Sequence, residues 1–232
     1  VPWPDHSVSP YASPDLSDSD WEPIDAPHDF VIANNFSPAA TDGGQHGYLE
    51  RELPGYYRKH FRIPADWSSS NVKLWLRFNG VFHTSQAWLD GIPLPLGAGS
   101  LSGYTAFTAP LPDQLAAGNH VLALRVDASF GSGHWYEGGG IFRDCFIIAA
   151  HTVHVVEDGL FAPADGNVVK AQVEIINEGQ ETVTVLAAFT AWDNQDVVAA
   201  TGSSDTITLY PGETRVVHHN LHVPTPKQWS IQ

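Results

Sequence analysis

The chain is 232 residues long, 43% apolar and 11% aromatic, with 20 glycines and 17 prolines, which excludes wholesale disorder and fits one large all-β domain or two smaller ones. Its 26 acidic against 11 basic residues give a formal charge of −15, which argues against nucleic acid or an anionic membrane as partner and leaves neutral ligands open. The single cysteine, Cys145, excludes an intrachain disulfide, and no apolar run reaches the roughly 18 residues of a membrane-spanning helix.

The sequence begins Val-Pro-Trp-Pro and contains no methionine. A processed chain is expected from this, and removal of an export signal, with a periplasmic or secreted product, is the commonest such event. Residues 1–20 place Pro2, Pro4, Pro10 and Pro14 among serines and aspartates, the composition of an extended arm that needs a surface to lie against. From Trp21 to Gly47 the chain is polar and irregular and reads as loop.

Strands begin at Tyr57 to Ile63. Val72, Leu74, Leu76 and Phe78 alternate with Lys73, Trp75, Arg77 and Asn79, the period of two that marks a half-buried strand. Asn79-Gly80 signals a turn, Val81 to Leu89 a further strand, and Asp90-Gly91 a second turn. Tyr104 to Ala109, His120 to Asp127 and Ile141 to Val156 complete a first block in which no window has a capped helical period. A second block opens near His151, with Val169 to Ile175, Val183 to Ala191, Val197 to Thr201, Thr206 to Leu209 and Arg215 to Val223 alternating in the same way. The predicted fold class is all-β, a jelly-roll sandwich followed by an immunoglobulin-like sandwich without that family's cysteine pair.

Eight short motifs then stand in a familiar order: Pro-His-Asp-Phe (27–30), Gly-Tyr-Tyr-Arg-Lys-His-Phe (55–61), Ile-Pro-Ala-Asp-Trp (63–67), Leu-Arg-Phe-Asn-Gly-Val (76–81), Ala-Trp-Leu-Asp-Gly (87–91), Gly-Tyr-Thr-Ala-Phe (103–107), Gly-Asn-His-Val-Leu-Ala-Leu-Arg-Val-Asp (118–127) and Trp-Tyr-Glu-Gly-Gly-Gly-Ile-Phe-Arg-Asp (135–144). Together they make the chain resemble the N-terminal part of glycoside hydrolase family 2, its β-galactosidase branch most of all. The resemblance implies an arm over 1–20, a jelly-roll sugar-binding domain over 21–149, and an immunoglobulin-like sandwich over 150–232 that lacks its last strands. It also implies that both catalytic glutamates lie in a barrel domain absent from this chain, supplied in cis or in trans. The substrate implied is a β-linked galactoside or related glycoside.

A retaining glycosidase needs two carboxyl groups about 5 Å apart, and nothing distinguishes any pair among Asp42, Glu137, Asp144 and Glu157, so no catalytic residue is assigned here. The resemblance puts His134, Trp135 and Glu137 at the mouth of the barrel, where an aromatic face can stack on a sugar and a polar neighbour can hold a hydroxyl. Asp42 joins them by its offset from the Tyr-Arg-Lys motif. Arg143 and Asp144 are expected to pair as a structural lock at the base of the loop, and Cys145 to be a buried, inert thiol. His218 and His222 share a strand face but stand roughly 13 Å apart, too far for one ion, which excludes a single-strand zinc site and leaves open one across strands or chains; no metal or cofactor is assigned. The expected role is to position the barrel, rim its substrate pocket and contribute to homo-oligomer contacts. The alternatives are a free-standing carbohydrate-binding module and one subunit of a split enzyme.

Overall fold

The computed structural model describes residues 9–40, 49–50, 54–97, 103–128 and 136–227, and it divides into two compact units, Val1–Ala149 and Ala150–Gln232. Among the described residues the regular elements are strands and short 3-10 turns, with no α-helix. Period-two alternation of Val, Leu, Ile and Phe between Gly- and Pro-rich turns leaves each segment one apolar face, which only another sheet can cover.

In the first unit β1 (Gly55–Ile63), β7 (Gly118–Asp127), β4 (Thr84–Leu89) and β5 (Ile92–Pro93) form one antiparallel sheet in that order. A second sheet has the order β6 (Phe107–Pro110), β2 (Val72–Phe78), β9 (Cys145–His151). Leu74, Leu76 and Phe78 of β2 pack against Leu124, Val126, Ala87 and Leu89 of the facing sheet, and the Phe78 and Phe107 rings stack at 5.1 Å. Each fully buried side chain of this kind contributes about 1.5–3 kcal/mol, so the alternation seen in the sequence is what sets the fold.

Two predicted strands are broken. Val81 to Leu89 divides into β3 (Val81–Phe82) and β4, on either side of a cis Phe82–His83 peptide, because the halves have different partners: β3 pairs with β8 (Gly140–Ile141), and β4 with β7. Ile141 to Val156 divides into β8, β9 and β10 (Val153–Phe161) for the same reason. The expected Arg143–Asp144 pair does not form. The Arg143 guanidinium lies 5.2 Å over the Phe142 ring and reaches the Asn79 carbonyl, while the Asp144 carbonyl accepts the Asn79 N–H at 3.1 Å. The lock therefore joins the 79–81 turn to residues 142–144.

The arm is less extended than its prolines imply. Pro10–Ala12 make a 3-10 turn, and Ala12 is buried with Trp88 and Ala123 on the outer face of the first sheet.

In the second unit β12 (Val168–Asn177) has β10 on one side and β17 (Thr214–His222) on the other, with β11 (Ala164–Asp165) beside its first residues. β13 (Val183–Val185) pairs with β16 (Ile207–Leu209), and β14 (Ala188–Trp192) with β15 (Val198–Ser203). Ala171, Val173, Ile175, Val217 and Leu221 meet Phe189 and Leu209 in the core, where His219 stacks on Phe189 at 5.4 Å.

Candidate functional site

The Pro-His-Asp-Phe motif is a strap across the glycine-rich segment. The His28 N–H donates to the Ile141 carbonyl at 2.6 Å, and the Phe30 N–H to the Gly139 carbonyl at 2.9 Å, so the strap adds a short ladder alongside β8. Between them the Asp29 carboxylate turns inward. Its Oδ1 accepts the Val31 N–H at 2.9 Å and the Gly139 N–H at 3.0 Å, and its Oδ2 accepts the Tyr136 hydroxyl at 2.7 Å.

This closeness explains the three consecutive glycines. Gly138 has φ +71, and a Cβ there would lie 2.5 Å from Asp29 Oδ2. One on Gly139 would lie 2.6 Å from the Ala128 side chain, and one on Gly140, at φ +139, would strike the His28 carbonyl and the Tyr57 hydroxyl. Only glycine permits both the backbone geometry and the approach.

Tyr57 anchors the strap from β1 through a 3.0 Å hydrogen bond between its hydroxyl and His28 Nδ1. Burial pushes that hydroxyl up to about 12, so it stays a neutral hydrogen-bonding group across the physiological range.

Glu137 sits half-buried between Tyr136 and Gly138, both of which touch Asp29. Its charge is felt by His83, at the junction of β3 and β4. Burial holds the His83 imidazole below its usual titration range, and the carboxylates of Glu137 and Asp127 only partly offset that. His83 Nδ1 lies 2.7 Å from Thr84 Oγ1, and Asp127 accepts from Arg125 at 2.7 Å. A neutral imidazole has one donor and one acceptor nitrogen, groups that can hydrogen-bond a sugar hydroxyl.

Of the sequence-selected residues, Glu137 falls within this cluster. Asp42, His134 and Trp135 lie outside the described residues. Sequence reasoning missed Asp29 and His83 as members of the site. The motifs at 27–30 and 76–81 were legible, but nothing in their spacing revealed that both meet the glycine-rich segment. Cys145, by contrast, is the inert thiol expected, pushed up to about 12 by burial and then by the neighbouring Asp144 charge. Among the described residues no group of three or more His, Cys, Asp or Glu side chains is arranged to hold a metal ion.

A β-galactosidase of Bacteroides ovatus is 28% identical over 235 aligned residues, covering 95% of this chain and 26% of that enzyme. The chain thus spans about a quarter of that relative's length. A β-galactosidase of Arthrobacter is 28% identical over 162 residues, 60% of this chain and 15% of that protein. Among solved structures, a glycosyl hydrolase family 2 member from Bacteroides cellulosilyticus superposes with a TM-score of 0.85 at 26% identity, covering 96% of this chain and 29% of that one. No family model matches the chain. The eight ordered motifs, the two β-sandwich units and these similarities together make the chain similar to the corresponding part of glycoside hydrolase family 2 members.

Proposed function

We propose that this chain is the non-catalytic β-sandwich section of a retaining β-glycosidase that hydrolyses terminal β-galactosides, the two catalytic glutamates residing in a barrel outside these 232 residues. The observation that carries this reading is the alignment of 95% of the chain with only 26% of a β-galactosidase. One feature of the chain supports it. In the second unit an apolar cleft of about 610 Å³, lined by Val173, Ile175, Phe189 and Leu221, runs beside β14, whose only described strand partner is β15. Further β-structure, in cis or in trans, fits such an edge.

In this reading the first unit is the jelly-roll sugar-binding domain and the second an immunoglobulin-like sandwich. His134, Trp135, Glu137 and Asp42 rim a substrate pocket whose floor belongs to the barrel. The polypeptide of the complete reading frame is expected to hydrolyse an aryl β-galactoside with a kcat/KM at least about tenfold above that for the aryl β-glucuronide. A reversed preference overturns the galactose assignment, and hydrolysis of neither overturns the reading.

A further inference from the structure

We infer that Asp29 is a positioning residue for sugar binding, acting through Glu137; the inference rests on the rim role proposed above for Glu137. Asp29 touches no candidate sugar contact itself. It fixes the backbone on both sides of one: Tyr136, just before Glu137, donates its hydroxyl to Asp29 Oδ2 at 2.7 Å, and Gly139, two residues after it, donates its N–H to Oδ1 at 3.0 Å. Gly138, between them, lies so near Oδ2 that a Cβ would stand at 2.5 Å. The carboxylate is held in turn by the Val31 N–H at 2.9 Å and by the strap's backbone bonds to Gly139 and Ile141.

A flexible glycine run would otherwise let the Glu137 carboxylate wander, because each glycine has more backbone freedom to lose than any other residue. An anionic acceptor with three neutral donors is a strong and directional clamp, and misplacing a contact group by about 1 Å is enough to lose most of its effect on substrate. The clamp also keeps Glu137 where its charge reaches His83.

The test is made on the polypeptide of the complete reading frame with an aryl β-galactoside. Asp29→Asn removes one acceptor and sets an amide against a donor; Tyr136→Phe removes only the phenol hydroxyl. Both are expected to raise KM, Asp29→Asn by about tenfold and Tyr136→Phe by about threefold, with kcat within about twofold of wild type, as loss of uniform binding requires. The double variant should be no worse than Asp29→Asn, since both changes break one contact. A merely structural role would lower the amount of active enzyme, so that apparent kcat falls and KM stays at the wild-type value; that result overturns the inference and leaves the proposed function standing. A wild-type polypeptide that turns over no glycoside overturns both.

Discussion

Arg58 on β1 and Asp18 in the amino-terminal arm, 40 residues apart in sequence, form a 2.9 Å ion pair in which the guanidinium side chain is only 1% exposed. The same guanidinium donates to the carbonyls of Tyr11, Ser13 and Leu16, and His60 reaches the same Asp18 oxygen at 2.7 Å. Arg58, then His60, hold the Asp18 carboxyl below its usual range. One side chain from the sheet thus gathers residues 11–18 of the arm.

Arg58→Met is expected to release the arm, because three carbonyls lose their donor at once and the Asp18 carboxylate keeps only His60. Amide exchange at Ala12 and Leu16, whose N–H groups bond to Ser9 and Ser13, should speed up by about tenfold or more. Asp18→Asn should have a smaller effect, since the three carbonyl contacts survive. Equal protection in wild type and Arg58→Met contradicts this role.

Asn177 organises the second unit in the same manner. It is fully buried, donates to the Glu181 and Leu209 carbonyls at 2.8 and 3.2 Å, and accepts the Gly179 N–H at 2.9 Å. Asn177→Leu leaves all three backbone groups without their partner and should cost about 3 kcal/mol in urea unfolding. A loss below about 1 kcal/mol means that the turn closes without it.

Gly140→Ala and Gly118→Ala separate strain from collision. Both glycines have strongly positive φ, +139 and +132, but a Cβ on Gly118 meets nothing within 4 Å, whereas one on Gly140 strikes the strap. Gly118→Ala should cost about 1–2 kcal/mol and Gly140→Ala at least about 3 kcal/mol. Equal losses by thermal or urea unfolding would show that the strap yields freely.

His120 on β7 makes stability depend on pH. Its Nδ1 faces Asp90 Oδ2 at 2.6 Å and its Nε2 faces the Ala116 carbonyl at 2.8 Å, an arrangement that suits the imidazolium, with both nitrogens donating. Burial opposes the charge, but Asp90 and Ala116 outweigh it, and the folded-state value rises above the ordinary 6.5. A group raised in this way contributes its full stabilisation below 6.5 and loses it as pH climbs through the folded value. The stability gap between wild type and His120→Gln should therefore be about 2 kcal/mol near pH 5.5 and shrink steadily toward pH 9. A gap that widens with pH contradicts the assignment. His83 is shifted the other way and destabilises as pH falls, so the comparison must be with the variant and not with the absolute curve.

The sheets were legible because burial obeys a period of two. Leu74, Leu76 and Phe78 are all buried, and their alternation was plain in the sequence. What alternation could not show was which strand each segment pairs with. Val81 to Leu89 is continuous in character, yet β3 and β4 belong to different sheets, and only tertiary pairing decides that. The site was harder still. Glu137 stands in a visibly unusual segment, but Asp29 lies 107 residues from Tyr136, and a hydrogen bond over that separation leaves no periodic trace. The triple glycine was the available signal: glycines that close together imply something pressed against them, though not what.

Release of 4-nitrophenol from an aryl β-galactoside, measured side by side for this 232-residue chain and for the polypeptide of its complete reading frame, tests the account most directly. The account predicts turnover by the complete polypeptide and none above buffer for the chain alone. Turnover by the isolated chain would contradict it.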